Sequence, residues 1–238
     1  MGTERAYAKL TLSLRVLGVR ADGYHLIDAE MVSIDLADEL EFSDGDAFAV
    51  EGLAVPGGGD NLVLRALRAV GRTASVRLHK RIPAGAGLGG GSADAAAVLR
   101  WAGRGDDVAL AATLGADVPF CVVGGRARVG GIGEIVEPLP PVNDDYTLLT
   151  PPLHVSTPDV YRAWDAMGAP SASGPNDLEA AALVVEPALA HYRDRLRELT
   201  GQEPVLAGSG STWFVRGHFD GPGLVQTRTD RPEGAAGG

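Results

Sequence analysis

Residues 83–97 read P-A-G-A-G-L-G-G-G-S-A-D-A-A-A, and their chemistry lies in the backbone. Five glycines (Gly85, Gly87, Gly89, Gly90 and Gly91) fall within seven positions and let amide groups converge on one small anion. The alanine-rich run that follows has high helix propensity. A helix from about Ser92 to Trp101 would aim its positive end at the same anion. The pattern predicts a phosphate cradle, with Pro83, Leu88 and Ala93 completing the loop. Ser92 offers its hydroxyl to phosphate or magnesium, or caps the helix, and the sequence does not choose. The Walker spacing is absent because no lysine follows the glycines, and no strand–helix alternation supports a dinucleotide G-x-G-x-x-G. A flexible linker would not open into an apolar helix.

Lys9 and Lys80 are the only lysines beside 19 arginines. A lysine retained on the polar face of a strand, as Lys9 is, suggests a need for a compact, titratable point charge. Asp117, in G-A-D-V-P, reads on its own as a turn or helix-cap residue. Tyr24 and His25 follow a turn-forming Asp22-Gly23, and Gly208-Ser209-Gly210-Ser211 reads equally well as a hairpin turn. Cys121 lies among Phe120, Val122 and Val123, which makes it a buried hydrophobe rather than a nucleophile.

The elements that position these residues follow from periodicity. Over residues 5–17, Leu10, Leu12, Leu14 and Val16 alternate with Lys9, Thr11, Ser13 and Arg15, predicting a strand. Further strands are expected over residues 31–42, 47–50 and 75–80, with turns at 44–45 and 56–59. Asp60 caps a helix through about Val70, and Asp106 or Asp107 starts another that ends near Gly115. Strands around residues 120–129, 134–137 and 146–149 come next. Thr157 then opens a short helix, Asn176-Asp177 caps a second, and residues 186–199 form a third. A strand, the Gly208 turn and a strand over residues 212–215 close the pattern. The expected class is α+β with antiparallel strands. The prolines at 138–141 divide an N-terminal lobe (1–140) from a C-terminal lobe (141–217), and the Gly/Pro-rich tail (218–238) is expected to be disordered.

A chain of 238 residues, 45% hydrophobic and 22% charged, can bury a sizeable core. Its net charge of −10 argues against nucleic acid or an anionic membrane as partner. Residues 61–104 nevertheless carry eight Arg or Lys against one Asp, a surplus suited to an anionic small ligand. A single cysteine excludes an intrachain disulfide and points to a reducing cytoplasm. There is no signal-peptide pattern, no membrane-length apolar run and no zinc-type spacing, and metal ligands stay unassigned.

The order of these motifs resembles the GHMP small-molecule kinases. G-L-G-G-G-S-A-D-A-A over residues 87–96 is similar to the family's phosphate loop. Ala8-Lys9-Leu10, Ala21-Asp22-Gly23-Tyr24-His25, residues 114–120 and Gly208-Ser209-Gly210-Ser211 match its other segments in order and approximate spacing. Together they span most of residues 6–216. The resemblance implies a two-lobed fold: a ribosomal protein S5 domain 2-like N-terminal lobe and a ferredoxin-like C-terminal lobe, here curtailed. It implies an ATP- and Mg2+-dependent kinase, a monomer or weak homodimer. Pro83, Gly85, Gly87, Leu88, Gly89, Gly90, Gly91, Ser92 and Ala93 would hold the ATP phosphates, and Gly208, Ser209 and Gly210 would lie beside them. Lys9 becomes the active-site lysine and Asp117 the acceptor of the substrate hydroxyl proton.

The motifs look most like the branch that phosphorylates the 2-hydroxyl of a cytidine-diphosphate-linked polyol, 4-diphosphocytidyl-2-C-methyl-D-erythritol, on the non-mevalonate isoprenoid route. That implies Tyr24 stacking on cytosine, Tyr161 on its opposite face and His25 in polar contact with the base. The alternatives are a GHMP kinase for another small alcohol and a nucleotide-binding relative weakened in catalysis. Thr11 stands where the family pattern has Asn, which implies a substrate hydrogen bond lost or rerouted. The segment before Leu114 is short, and little helical pattern follows Val215, so an incomplete last lobe is expected.

Overall fold

The structure, a computed structural model, describes residues 1–53 and 61–230. Two long strands, β1 (Gly2–Val19) and β2 (His25–Ser43), pair antiparallel with Lys9 opposite Ser33. On its other edge β2 changes partner along its length. Residues 27–32 pair with β5 (Arg126–Gly131), and residues 39–43 pair with β4 (Ser75–Lys80). β3 (Phe48–Gly52) lies parallel to β4, and β6 (Ile135–Pro138) antiparallel to β5. The first-strand alternation is only half preserved, because residues 6–12 are buried on both faces.

One side of this sheet carries α1 (Leu62–Ala69), α2 (Gly90–Trp101), α3 (Val108–Leu114) and α4 (Val118–Val123). In α2 Ala93, Ala95, Ala96, Ala97, Val98 and Leu99 are all buried. Small side chains on every face let the helix approach β1, α1 and α4 at once, as close packing of the interior requires. A second antiparallel sheet runs β10 (Leu224–Arg228), β7 (Asp145–Leu149), β9 (Trp213–Arg216), β8 (Val205–Leu206). Three helices accompany it: α5 (Thr157–Ala166), α6 (Glu179–Val185) and α7 (Leu189–Thr200). Among the described residues no helix is long and apolar enough to cross a membrane.

The structure differs from the sequence reading in several places. Residues 120–123 are helical, not the start of a strand. Pro119 lies in the first turn, where a missing N–H is harmless, and Gly124 ends the helix at φ 65°. Residues 118–122 are buried all round, so no amphipathic period separated helix from strand. Residues 218–230 of the expected disordered tail are ordered: β10 pairs with β7, Leu224 opposite Leu149. Asp35 Oδ1 accepts from Thr227 Oγ1 (2.5 Å), and Asp230 N donates to Ser33 O (2.9 Å), so this segment also stitches the second sheet onto β2. Local Gly/Pro composition concealed a strand that long-range pairing creates. Asn61 caps α1, its Oδ1 accepting from Val63 N at 2.9 Å. Asp60, the turn at 56–59 and residues 231–238 lie outside the described residues. Four of the eight basic residues in 61–104, Arg77, Lys80, Arg100 and Arg104, sit in ion pairs.

Candidate active site

The glycine loop adopts conformations that only glycine takes without strain. Gly85, Gly87 and Gly89 have φ of 71°, 78° and 68°. A Cβ on Gly87 would stand 2.6 Å from the carbonyl oxygens of Ala207 and Gly210, so the loop is packed directly against the last glycine motif. Thr212 N reinforces that contact by donating to Ala86 O at 3.1 Å. α2 starts at Gly90 with Gly89 as its cap, which places Ser92 inside the first turn and removes its capping role. Asn61, Leu62, the loop and this first turn line a cavity of about 560 Å³.

Beneath the loop lies an ionic cluster that the sequence did not announce. Lys80 Nζ donates to Asp38 Oδ2 and to Asp94 Oδ2, the latter at 2.6 Å, and all three residues are buried. Asp38 Oδ1 also accepts from the backbone N–H of Arg81 (2.5 Å) and Ile82 (2.8 Å). Among the described residues Asp94 Oδ1 has no hydrogen-bond partner. Burial raises the Asp94 pKa to about 7; Lys80 opposes that rise and the Asp38 charge adds to it. The cluster joins β2, β4 and α2 and so holds both ends of the glycine loop.

A second cavity, about 590 Å³, contains Lys9, Thr11 and Asp117 at one end and Tyr24, His25 and Tyr161 at the other. Lys9 Nζ donates to Thr11 Oγ1 at 3.0 Å and lies 3.5 Å from Asp117 Oδ2. Its backbone N–H donates to Leu88 O at 3.0 Å, tying β1 to the glycine loop. Glycines flank this lysine on both sides, Gly89 because a Cβ would crowd it and Gly208 because its φ is 64°. A Cβ on Gly89 would stand 2.8 Å from Lys9 Cγ, and one on Gly208 would stand 3.5 Å from Lys9 Nζ. The two cavities share Gly87, Gly89 and Ser92 in their linings. Cys121, close to Asp117, is inert: burial, then the Asp117 charge, pushes its thiol up to about 12.

Asn176 and Asp177 do not cap α6 as the sequence suggested: its cap is Leu178, with no side-chain cap bond, and the two residues bind mainly elsewhere. Asn176 Oδ1 accepts from Leu178 N (2.9 Å), while its Nδ2 donates to Leu206 O (2.9 Å) and Gly208 O (2.7 Å). Asp177 accepts from Arg15 Nη1 (2.7 Å), Val16 N (3.0 Å) and Ala172 N (2.8 Å). Burial works to raise its pKa, yet these donors hold it below the ordinary value. Nothing in the local sequence marked Asn176 as the support of the last glycine motif, because its partners lie some thirty residues away.

The aromatic residues lie at the far end of the second cavity. Tyr161 stacks on His25, ring centroids 4.5 Å apart and 30° between planes, whereas Tyr24 stands at the rim, 58% exposed. Tyr161 and Asp165 are four residues apart on α5 and therefore reach the same imidazole. Burial, then the Asp117 charge, raises the Tyr161 pKa, so its hydroxyl stays protonated.

Comparison with known proteins fits this geometry. Residues 61–125 match the family model of the GHMP kinases N terminal domain. The chain is 39% identical over 240 residues to the 4-diphosphocytidyl-2-C-methyl-D-erythritol kinase of Paracoccus denitrificans, covering 89% of this chain and 85% of that one. The chain belongs to this family of GHMP kinases. The kinase of the same name from Pelotomaculum thermopropionicum is 41% identical over 257 residues, covering 89% and 88%. A solved structure of a 4-(cytidine 5'-diphospho)-2C-methyl-D-erythritol kinase superposes with a TM-score of 0.72 at 37% identity, covering 90% of this chain and 89% of that one. Within this GHMP kinase, the matched segment contains α1, the glycine loop and Asp117, whereas Lys9 and the His25 end lie outside it.

Proposed function

We propose that the chain transfers the γ-phosphate of ATP to the 2-hydroxyl of 4-diphosphocytidyl-2-C-methyl-D-erythritol, a step of non-mevalonate isoprenoid synthesis. The observation that carries this reading is the wall that two neighbouring cavities share at Gly87, Gly89 and Ser92, with Lys9 and Asp117 in the second. The first cavity takes the nucleotide, its phosphates against the loop amides and the α2 N-terminus. The second takes the alcohol, its cytidine toward Tyr24, His25 and Tyr161 and its hydroxyl toward Asp117. Asp117 accepts the hydroxyl proton, a role that contributes about 10²–10⁴-fold. Lys9, held by Thr11 and Asp117, places a positive charge where the phosphoryl group moves. Positioning and charge neutralisation do the rest.

The donor set is compatible with Mg2+ carried by the triphosphate. Magnesium ordinarily takes one or two carboxylates together with phosphate oxygens and water. Ser92 and Asp94 are the side chains of the first cavity suited to contact it. Among the described residues only Glu39, Glu41 and His79 gather as a possible metal group, and His79 alternates with Lys80 on β4, so it faces away from α2. The bound ion would neutralise phosphate charge.

Residues 1–140 and 141–217 serve as the two lobes, with β10 extending the second, and the protein works as a cytoplasmic monomer or weak dimer. The test is ADP release from Mg-ATP and this acceptor, compared with Lys9→Ala and Asp117→Asn. Acceptor-dependent release that both substitutions abolish is expected. Release no greater than that of Lys9→Ala overturns the reading.

A further inference from the structure

We propose that Asp165 is the specificity-determining positioning residue of the acceptor pocket: it holds the Nε2–H of His25, which leaves Nδ1 as an acceptor for the exocyclic amine of cytosine and disfavours uracil. This inference rests on the reading that the pyrimidine lies at the His25 end of the second cavity.

His25 Nε2 lies 2.9 Å from Asp165 Oδ1, across the boundary between β2 and α5. An ionised carboxylate only accepts, so the proton of this bond resides on Nε2. In the neutral ring the other nitrogen then bears a lone pair; the partner of one nitrogen dictates the role of the other. Nδ1 has no protein partner among the described residues, and His25 lines the cavity. Two further contacts fix the ring plane: Tyr161 stacks on it, and Trp164 meets it edge-on at 5.8 Å. Trp164 is itself anchored, its Nε1 donating to Pro170 O at 3.0 Å. Tyr161, Trp164 and Asp165 all belong to α5, so a single helix sets the ring's plane, its depth and its hydrogen-bonding sense. Among the described residues Asp165 makes no hydrogen bond or ion pair with Lys9, Thr11 or Asp117, and its side chain is 43% exposed, so neither the phosphoryl chemistry nor the core accounts for it.

The consequence is chemical. Cytosine presents an N–H donor at C4, and uracil presents a carbonyl oxygen. Against a fixed acceptor the first forms a hydrogen bond and the second sets two lone pairs face to face. A pocket built around such a bond rejects the analogue lacking the donor more strongly than apolar contact can.

The experiment compares kcat/KM for 4-diphosphocytidyl-methyl-erythritol and its uridine counterpart in the parent, Asp165→Asn and Asp165→Ala. An amide can turn its NH2 toward Nε2 and release the tautomer, so Asp165→Asn keeps the volume and removes the lock. The parent is expected to prefer cytidine by at least about tenfold. Both variants are expected to narrow that ratio, through the acceptor KM, with the KM for ATP unchanged. In the parent, 15N NMR of His25 is expected to show the proton on Nε2 and none on Nδ1; a proton on Nδ1 overturns the proposal. Tyr161→Ala separates the two levels of the argument. If it leaves the acceptor KM unchanged, the placement of the base is wrong and this inference falls with it. If it raises that KM while both Asp165 variants keep the parent ratio, the placement stands and the role of Asp165 is refuted.

Discussion

Lys9 Nζ and Asp117 Oδ2 stand 3.5 Å apart, one from the first strand and one from the entrance to α4. The separation is that of an ion pair with room to open, which suits a carboxylate that must turn to a substrate hydroxyl. Asp117 is 35% exposed at its side chain whereas Lys9 is nearly enclosed, so the movable partner is the acid. Asp117→Asn keeps the shape and removes the proton acceptor. Its kcat should fall by about 10²–10⁴-fold with the KM for ATP little changed. Steady-state ADP release at varied ATP and acceptor concentrations checks both quantities.

Thr11 gives Lys9 its hydrogen-bonding anchor inside the cavity. Thr11→Val preserves the branched shape but removes the acceptor, leaving Lys9 to Asp117 alone. A hydrogen bond to a charged group is worth about 1.5–3 kcal/mol, so kcat should drop by roughly one order of magnitude or more. Thr11→Asn restores an acceptor oxygen and should keep most of the parent rate. Equal rates for the parent and Thr11→Val would show that Lys9 needs no such anchor.

Asn176 satisfies two buried carbonyl oxygens and one amide simultaneously. Asn176→Ala leaves them without that partner and should destabilise the fold by about 1–3 kcal/mol. Because Gly208 sits against Lys9, activity should fall further than the folded fraction does. Urea denaturation read beside kcat on the folded protein distinguishes the two effects.

Asp94 predicts a pH dependence of stability with a definite sign. Its folded pKa, about 7, lies above the ordinary value of 3.8. The folded state therefore holds this proton more tightly than the unfolded chain does. The associated stability is full below the ordinary value and is lost as pH rises through the folded one. Asp94→Asn cannot lose that proton and should gain on the parent between about pH 5 and pH 8. Urea midpoints of both proteins at those two values test it; a constant difference would remove Asp94 from the titration.

The glycine loop, the cap Asp107 and the run of alanines in α2 are local signals, and their roles in the fold follow from backbone freedom and propensity, whereas the cap of α1 fell on Asn61, one residue after the Asp60 that the sequence suggested. Lys9 and Asp117 were legible as candidates because a rare lysine and a G-A-D-V-P segment fitted a known order of motifs. α4 was not legible. A helix buried on every side shows the same unbroken apolar run as a buried strand. β10 was hidden for the opposite reason, since its flanking Gly221-Pro222-Gly223 reads as a break and only β7 gives it a partner.

By itself the sequence determined that this protein has a glycine-rich loop opening into a helix, an α+β scaffold and an acidic chain with one buried cysteine. All of these depend on residue type and neighbours within a few positions. Only the tertiary structure decided which charges are available and which are already engaged. Lys80 is held by Asp38 and Asp94, Lys9 is left to face the cavity, and His25 turns to Asp165. Those outcomes depend on distances between residues remote along the chain, and burial makes each such contact decisive because an unpaired charge inside the protein is costly.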